Sequence, residues 1–517
     1  ISELNEKVKE IDRSLSVFDL FRAMRAKWIS CIPESSSNYI QNVGVEAPAL
    51  SAPPERTKAL LKLAKQEGLR WDDPVFHAKY RVVSADDLAL VPGLSAETVG
   101  SARRAVERGF DMSIMPANTL LPAELMTMKY VPKGDYFVPR ATSDEDPYGI
   151  FAESIAYTEK VKDAEGNERN IVVFSQKFRD TALVNINSTC CHGCVGCYKS
   201  MIAREDPENA RKYGLSSEVL MVQMDGLVRE LNRRPLVDQV ILSGGEPLLY
   251  SNSQLKEVLE KLKGIKNLRV LRICTGTLFQ GENFRINDEL ISMLKKFSGE
   301  TGISVKFNVH LNHPAQITPE AVEAAKRLRD GGISVYAQVP IQAGINFFQE
   351  DEERTVSTWV KIVSMVERFG ENYKMIVDMH PRTDEYVPSI EQVINVIGRV
   401  FGSHEYSDNK LPKTVTVLCR QGNLILDPKL FNSMEKKVDS ERRTVTYYWM
   451  AEGHSGAWSP VKYVEPMNKY NSDPNSLEKM KCEYKNKLEE AIAIDEASAS
   501  PAERSKVFKP IGSEWRE

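Results

Sequence analysis

The chain has 517 residues, enough to bury a large core in roughly two to four structural units, and its 42% hydrophobic and 27% charged residues are typical of globular proteins. A formal net charge of -4 gives no electrostatic case for binding nucleic acid or an anionic membrane. No apolar run approaches the roughly 18 residues of a membrane-spanning helix, and the first residues are too charged for a signal peptide. We therefore expect a cytoplasmic protein that binds no nucleic acid and no membrane.

The first part of the chain, residues 1–180, is predicted to be a mostly helical N-terminal region. Apolar residues recur at helical spacing within 55–67 and again from 96 to 108. Residues 141–180 contain turn-forming residues between Asp144 and Gly149 and are predicted to be irregular. An appended helical region of this kind often serves assembly, so a homo-oligomer is a possible outcome.

Between residues 181 and 390, strand patterns alternate regularly with helix patterns. The predicted strands are 182–186, 237–242, 270–274, 305–310, 333–339 and 375–378. Repeated strand–helix units of this length predict parallel strands wrapped by helices, and about six units are fewer than the eight of a complete barrel. We therefore predict an α/β fold with a partial, TIM-like (βα)6 barrel. Residues 391–517 are predicted to be a mixed α/β C-terminal extension, with strands at 414–418 and 444–450.

Four of the eight cysteines lie within residues 190–197. A disulfide framework would spread its cysteines along the chain, so this clustering favours a metal centre. Cys190, Cys194 and Cys197 have the spacing C-x3-C-x2-C, which brings three thiolates onto a short, glycine-containing loop suited to a [4Fe–4S] cluster. Three ligands on four irons leave one iron open to a small molecule. Cys191 breaks the spacing and is predicted not to be a ligand.

The alternative for this loop is a zinc site with Cys191 or His192 as the fourth ligand. Zinc sites of this kind usually consist of two C-x2-C units separated by a dozen or more residues, and no second unit occurs here. The remaining cysteines are expected to be small buried side chains; they are Cys31, Cys274, Cys419 and Cys482.

The cysteine spacing, directly after the first strand of an α/β repeat, resembles the radical S-adenosylmethionine (SAM) superfamily. Ser243-Gly244-Gly245-Glu246-Pro247, at the end of the next strand, resembles the GGE motif of that superfamily. The resemblance implies a partial radical SAM barrel in which the open iron binds the amine and carboxylate of the SAM methionine. It also implies that Gly244, Gly245, Glu246 and Pro247 bind SAM, with the glycine backbone and the Glu246 carboxylate receiving the methionine ammonium.

Residues from roughly 70 to 420 resemble the lysine 2,3-aminomutase family. Leu271 to Thr277 is similar to the RIGTR strand end of that family, and Val309-His310-Leu311-Asn312-His313-Pro314 is similar to its THFNHP segment. Gln338, followed by a stretch that ends in Gly344-Ile345-Asn346, falls where the family has a glutamine. The resemblance implies that His310 and Gln338 contact the SAM nucleoside; the alternative is that each is a polar strand-end residue bonded to backbone.

The chain departs from that family at its pyridoxal phosphate (PLP) site. The aminomutases bind PLP through a lysine in a GGGGK turn, where this chain has Arg420-Gln421-Gly422. The arginine run that follows the family's cysteines is reduced here to Lys199. A Schiff-base cofactor needs both a lysine and an anion cradle, so PLP is not expected. The alternative is a PLP-dependent aminomutase whose lysine has moved, to Lys413 or Lys429.

The resemblance implies reductive cleavage of SAM to a 5′-deoxyadenosyl radical, with an electron donor such as flavodoxin or ferredoxin as partner. The expected substrate is an amino-acid-like small molecule that undergoes rearrangement, epimerisation, desaturation or elimination, which leaves the isomerase, lyase and oxidoreductase classes open. Candidate substrate contacts are Lys199, Asp378, His380 and Arg382; the last three could instead form a structural salt-bridged turn. A non-catalytic iron–sulfur module is the alternative from a different class.

Overall fold

The structure is a computed structural model. It describes residues 62, 65, 66, 68, 95–107, 155–162, 168–187, 190, 192, 194, 197, 217–280, 283–317, 319–367, 373–377, 388–401, 415–419, 422–426, 433–452 and 458–497.

One ten-stranded sheet organises the described part of the chain, and its strands lie side by side in chain order. They are β1 (Ala156–Lys162), β2 (Glu168–Phe178), β3 (Thr181–Asn187), β4 (Gln239–Gly244), β5 (Val270–Thr275), β6 (Ser304–His310), β7 (Ser334–Ile341), β8 (Tyr373–Val377), β9 (Val415–Cys419) and β10 (Gly422–Leu426). Strands β3 to β9 pair in parallel, whereas β1, β2 and β10 are antiparallel to their neighbours. This arrangement confirms the predicted α/β fold with a partial TIM-like barrel.

Helices connect the parallel strands, as right-handed crossover units require. They are α1 (Ala96–Glu107), which precedes the sheet, then α2 (Ser217–Leu231), α3 (Asn252–Leu262), α4 (Asp288–Thr301), α5 (Pro319–Asp330), α6 (Glu352–Glu367) and α7 (Ile390–Phe401), with α8 (Ser476–Ala497) near the C-terminus. Local sequence fixes several ends. Ser251 and Gln254 form a capping box at the start of α3, and α4 ends at Gly302, whose φ of 73° lies in the left-handed region.

The core lies between the helices and one face of the sheet. On β5, β6 and β7 the alternate residues Leu271, Phe307 and Val339 are at most 2% exposed and pack in the same cluster as the helix residues Leu259 and Leu294. The residues between them on each strand are half-buried. Since successive side chains of a strand point to opposite faces, these half-buried residues line the concave interior of the partial barrel.

The prediction that residues 141–180 are irregular is wrong for 156–162 and 168–178. These residues form β1 and β2, an antiparallel hairpin that extends the sheet before the first parallel strand. The five consecutive residues 171–175 are buried, and Tyr157 stacks on Phe174 with ring centroids 5.4 Å apart. Such pairs contribute beyond their buried area and stabilise the pairing of β1 with β2.

The sheet also continues past the predicted boundary at residue 390. Strand β9 pairs in parallel with β8, with Met375 opposite Val415, and so adds a seventh parallel strand to the six that were predicted. A separate three-stranded antiparallel sheet follows, made of β11 (Glu435–Asp439), β12 (Thr444–Glu452) and β13 (Trp458–Pro466). The division into 1–180, 181–390 and 391–517 therefore stays a prediction. Among the described helices, none combines the length and apolar character needed to cross a bilayer.

Candidate active site at the carboxyl ends of the parallel strands

The predicted SAM-binding and cluster-binding segments lie at the same edge of the sheet. The cysteine loop follows β3, the Ser243–Pro247 turn follows β4, and Thr275 and His310 end β5 and β6. Parallel strands direct their carboxyl ends to one side, and active sites of barrel enzymes are found on that side. The fold therefore brings together residues that are more than 100 positions apart in sequence.

The three predicted cluster ligands, Cys190, Cys194 and Cys197, are all partly buried. The backbone N–H of Cys197 donates to the carbonyl of Cys194 at 3.2 Å, and the N–H of His192 donates to Cys190 Sγ at 3.5 Å. Burial, followed by the charges of Glu246 and the two other cysteines, raises the pKa of the Cys190 thiol. This loop therefore holds a protonated thiol until a metal displaces the proton.

Among the described residues, no three His, Cys, Asp or Glu side chains surround one point as they would a single metal ion. The set that the sequence assigns to a cluster, three thiols on one short loop, fits iron–sulfur chemistry in its donors. Their convergence on a cluster stays a prediction. Cys191 lies outside the described residues.

Gly244 has a backbone that other residues cannot adopt without strain. Its φ is 125°, and a Cβ atom on it would lie 2.2 Å from the carbonyl oxygen of Asn187. The N–H of Gly245 donates to that oxygen at 2.9 Å and to Asn187 Oδ1 at 3.1 Å, while Asn187 Nδ2 donates to the Glu246 carbonyl at 2.9 Å. Asn187 thus holds the turn against the end of β3, and the glycines leave its surface open to close approach by a ligand.

The Glu246 carboxylate is 1% exposed and accepts four hydrogen bonds from the protein. Oε1 accepts from Leu248 N at 3.0 Å and Thr275 Oγ1 at 2.7 Å, and Oε2 accepts from Gly276 N at 2.9 Å and His192 Nε2 at 3.1 Å. Burial raises the pKa of this carboxyl, but the hydrogen bonds, first that from His192, outweigh burial and leave the pKa below its usual value. Glu246 is therefore ionised and ties three segments together.

This geometry adds an organising role to the predicted role of Glu246. Its two oxygens each accept from two protein donors, and the contact of the carboxylate with a methionine ammonium stays a prediction. The same bond fixes the tautomer of His192, because a carboxylate acceptor requires the proton on Nε2. That nitrogen is therefore committed to Glu246.

Gln280 is a site residue that the sequence did not reveal. It follows β5, its side chain is buried, and Cys194 Sγ lies 3.3 Å from its Oε1. A Cβ atom on Gly276 would lie 2.6 Å from Gln280 Nε2 and 2.9 Å from His192 Cδ2, so the glycine makes room for both side chains. Thr275 and Gly276 fall within the segment that resembles the RIGTR strand end, whereas no motif marks Gln280.

His310 and Gln338 are brought side by side, since they are register partners on β6 and β7. Both side chains are half-buried at the interior face of the barrel. Behind them, Asn312 Nδ2 donates to Gln342 Oε1 at 2.6 Å, and Asn346 Nδ2 donates to the Asn312 carbonyl at 2.8 Å. The two motif segments quoted from the sequence are therefore bonded to each other, which fixes the loops that follow these strands.

Comparison with known proteins agrees with this geometry. Residues 184–393 match the family model described as the Radical SAM superfamily. The chain contains a radical SAM domain. The domain includes Cys190, Cys194 and Cys197, the Ser243–Pro247 turn, His310 and Gln338, and the superfamily implies a [4Fe–4S] cluster and SAM as cofactors.

Aminomutases are among the relatives of the radical SAM domain. The chain is 26% identical to L-lysine 2,3-aminomutase of Fusobacterium nucleatum over 286 residues, which is 53% of this chain and 59% of the relative. It is 26% identical to L-lysine 2,3-aminomutase of Acetoanaerobium sticklandii over 297 residues, 56% of this chain and 64% of the relative. Glutamate 2,3-aminomutase of Clostridioides difficile is 26% identical over 172 residues, 33% and 37% of the two chains. The chain thus spans less than two thirds of the length of each.

The segment where the resembled family carries its PLP lysine follows the radical SAM domain in this chain. Gly422 of β10 pairs with Cys419 of β9, so Arg420 and Gln421 alone connect the two strands. Neither residue is a lysine, and the expected absence of PLP stays a prediction.

The predicted substrate contacts are not among the residues that the structure describes. Lys199, Asp378, His380 and Arg382 lie outside them, as do Lys413 and Lys429. Of the remaining cysteines, Cys274 is partly buried, and Cys482 on α8 is exposed, so the expectation of a buried side chain is wrong there. Helix α8 is largely polar, and nothing in the described structure covers that position.

Proposed function

We propose that this protein reductively cleaves SAM and abstracts a hydrogen atom from an amino-acid-like small molecule without the help of PLP. The observation that carries the proposal is the hydrogen bond between His192 and Glu246, which joins the cysteine loop to the SAM-binding turn. This contact brings the two motifs of a radical SAM domain within one hydrogen bond of each other. The chemistry of the domain requires that arrangement, since cluster and SAM must meet.

When bound together, the reduced cluster and SAM supply a 5′-deoxyadenosyl radical that removes hydrogen from an unactivated C–H bond. The residues of the chain itself bind and orient the cluster and SAM. Cys190, Cys194 and Cys197 would hold the cluster, and the bare backbone at Gly244 and Gly245 would allow close approach of the methionine moiety. We assign contact with the nucleoside to His310 and Gln338, which are neighbours on β6 and β7.

Two observations support a reaction without PLP. The connection between β9 and β10 is too short for a phosphate cradle, and Arg420 and Gln421 carry no amine for a Schiff base. Without that cofactor a 1,2-amino shift lacks its means of stabilisation. Epimerisation, desaturation, elimination or another rearrangement is favoured instead, with Lys199, Asp378, His380 and Arg382 as the proposed substrate contacts.

The first experiment measures 5′-deoxyadenosine. Reconstituted protein is incubated anaerobically with SAM and dithionite, or with reduced flavodoxin or ferredoxin. We expect the wild-type protein and Cys482→Ala to form deoxyadenosine, because Cys482 is exposed on α8 and lies outside the cysteine motif. Cys194→Ala should form none. A protein that binds its cluster yet forms no deoxyadenosine would be the non-catalytic module.

The second candidate function is a PLP-dependent aminomutase with a displaced lysine. The identity to lysine and glutamate 2,3-aminomutases favours it. The test loads the protein with PLP, reduces it with borohydride and maps the product by mass spectrometry. A pyridoxyl group on Lys413 or Lys429, absent from the corresponding alanine variant, would establish the aminomutase and end the proposal above. No imine absorbance and no modified peptide are the expected results.

A further inference from the structure

The amide of Gln280 lies against one of the three cysteines that we assign to the cluster. Cys194 Sγ is 3.3 Å from Gln280 Oε1, within the range of a hydrogen bond to sulfur. The side chain of Gln280 is 1% exposed, so water does not compete for this contact. The contact spans 86 residues of sequence and joins the cysteine loop to the segment that follows β5.

The arrangement around Gln280 holds the amide in place. The N–H of Gln280 donates to the carbonyl of Gly276 at 3.0 Å, which closes a turn. The absent side chain of Gly276 leaves space that the Gln280 amide and the His192 ring fill. A buried, unbranched side chain confined by a turn and by a ring loses little further freedom when it bonds to a ligand.

The direction of this hydrogen bond must reverse when a cluster is bound. In the thiol form, Cys194 donates S–H to the amide oxygen. A cysteine bound to iron is a thiolate and can only accept. The two ends of a glutamine amide have nearly the same shape, so a half-turn of the amide presents N–H to the sulfur at no steric cost. Cys190 already has such a partner, since the N–H of His192 donates to its sulfur.

We propose that Gln280 is a positioning residue that donates an N–H···S hydrogen bond to the Cys194 thiolate and thereby raises the reduction potential of the cluster. This inference rests on the proposed function, because it assumes that Cys194 binds the cluster. Reduction adds negative charge to the cluster and its sulfurs. A donor aimed at a ligand sulfur stabilises the reduced form more than the oxidised form, which is how hydrogen bonds tune iron–sulfur potentials.

The experiment is a redox titration of the reconstituted cluster, followed by electron paramagnetic resonance and without SAM. We expect Gln280→Leu to keep its iron and to have a reduction equilibrium constant about tenfold smaller, equivalent to a midpoint about 59 mV more negative. An exchangeable proton coupled to the cluster should also disappear from its electron–nuclear double resonance spectrum.

The matched control is Gln223→Leu. Gln223 is likewise a fully buried glutamine, but its Nε2 bonds to backbone carbonyls of β2 and β3 and not to a cysteine. This control should lose stability while its midpoint potential and exchangeable proton remain as in the wild type. A shift of equal size in both variants would show a general effect of destabilisation and would overturn the proposal.

A second variant keeps the proposal testable if Gln280→Leu binds its cluster poorly. Gln280→Met has an unbranched side chain of similar length without an N–H donor, and it should show the same negative shift. A cluster-loaded Leu or Met variant with the wild-type potential and proton coupling would overturn the inference even if the wild-type protein cleaves SAM. Failure of the wild type to cleave SAM would instead concern the proposed function, so the two failures are distinguishable.

Discussion

At the scale of single residues, Gly244 shows how closely the Ser243–Pro247 turn is packed against the first parallel strand. Its φ of 125° and the 2.2 Å that would separate a Cβ atom from the Asn187 carbonyl allow only glycine. Gly245 and Glu246 are then fixed through the side chain and backbone of Asn187. The turn is thus rigid before any ligand arrives, which lowers the cost of ordering a bound molecule.

Gly244→Ala should destabilise the protein by more than about 2 kcal/mol, because both the φ angle and the backbone contact are violated. It should also abolish SAM binding. The measurements are thermal unfolding and isothermal titration with SAM.

Gly299→Ala is the control for that substitution. Gly299 lies in α4, a Cβ there would meet nothing within 4 Å, and alanine should stabilise the helix by about 0.5–1 kcal/mol. Equal behaviour of the two variants would show that the strain at Gly244 is absent.

Glu246 is the residue on which most hydrogen bonds of the site converge. In Glu246→Gln one acceptor oxygen becomes an NH₂ group that faces two donors, so we expect a loss of about 1–3 kcal/mol in unfolding free energy and weaker SAM binding. Denaturant titration measures the first effect. Glu300→Gln is the control, since Glu300 is an exposed partner of Lys263 and solvent screening should make its loss nearly neutral. A result in which Glu300→Gln costs as much as Glu246→Gln would contradict the organising role.

Cys191 provides a test of the ligand assignment. We expect Cys191→Ala to retain four irons and deoxyadenosine formation after reconstitution. Alanine at Cys190, Cys194 or Cys197 should lose both, since each supplies a thiolate. Iron and sulfide analysis decides the outcome. A cluster lost in Cys191→Ala and kept in Cys190→Ala would reverse the assignment.

The site residues that could be predicted were those inside recognisable motifs. The cysteines, Gly244 to Pro247, His310 and Gln338 have spacings that carry chemistry and can be found along the sequence. Three roles escaped prediction because they arise from contacts across 54 to 86 positions of sequence. They are those of Asn187, of Gln280 and of His192 as a partner of Glu246. The organising role of Glu246 also escaped prediction, since the sequence does not show which donors surround a carboxylate.

At the scale of elements, the sequence revealed strands wherever apolar runs alternate with helices. The hairpin β1–β2 was missed because β1 is half polar, with Thr158, Glu159 and Lys160 exposed or partly exposed on an edge strand. Arg229 of α2 pairs with Glu159, and Arg234 lies 5.2 Å from the Phe174 ring centroid. These tertiary contacts stabilise a hairpin that local propensity does not favour.

The C-terminal sheet is joined to α7 by buried polar groups. Glu391 of α7 pairs with Lys436 of β11 at 2.6 Å and accepts from Tyr447 of β12 at 2.7 Å. Glu465 of β13 accepts from Ile390 N at 3.0 Å, at the start of α7, and from Asn471 at 2.7 Å. Two elements that are distant in sequence are therefore docked by a network whose stability depends on protonation.

Burial raises the pKa of Glu465 from 4.5 to about 7. A raised folded-state pKa gives stability that is complete below the unfolded value near 4.5 and is lost as the pH rises through about 7. Glu465→Gln cannot ionise, so the difference between its unfolding free energy and that of the wild type should shift in favour of the variant by on the order of 2–3 kcal/mol as the pH rises from 5 to 8.

The unfolding free energy of wild type and Glu465→Gln is measured in denaturant between pH 5 and 8. Hydrogen exchange of the β12 amides is the readout. Glu489→Gln, at an exposed position of α8, should follow the wild type across that range. A difference between wild type and Glu465→Gln that is constant with pH would contradict the raised pKa.

At the scale of the whole molecule, the parallel sheet explains why the site lies where it does. Seven parallel strands bring the cysteine loop, the glycine turn and the His310–Gln338 pair to one edge, and packing of the helices against the opposite face holds them there. The fold class followed from strand–helix alternation. The number of parallel strands did not, because β9 comes after a long connection from α7 and its pairing with β8 is decided by tertiary packing.

The central claim is that SAM binds the open iron of a cluster held by three cysteines. Electron–nuclear double resonance of the reduced cluster with SAM labelled by ¹⁵N at its amino group tests it most directly. We predict a nitrogen coupling in the wild type that persists in Cys191→Ala and is absent from Cys194→Ala. An intact four-iron cluster that shows no coupling to labelled SAM would contradict the account.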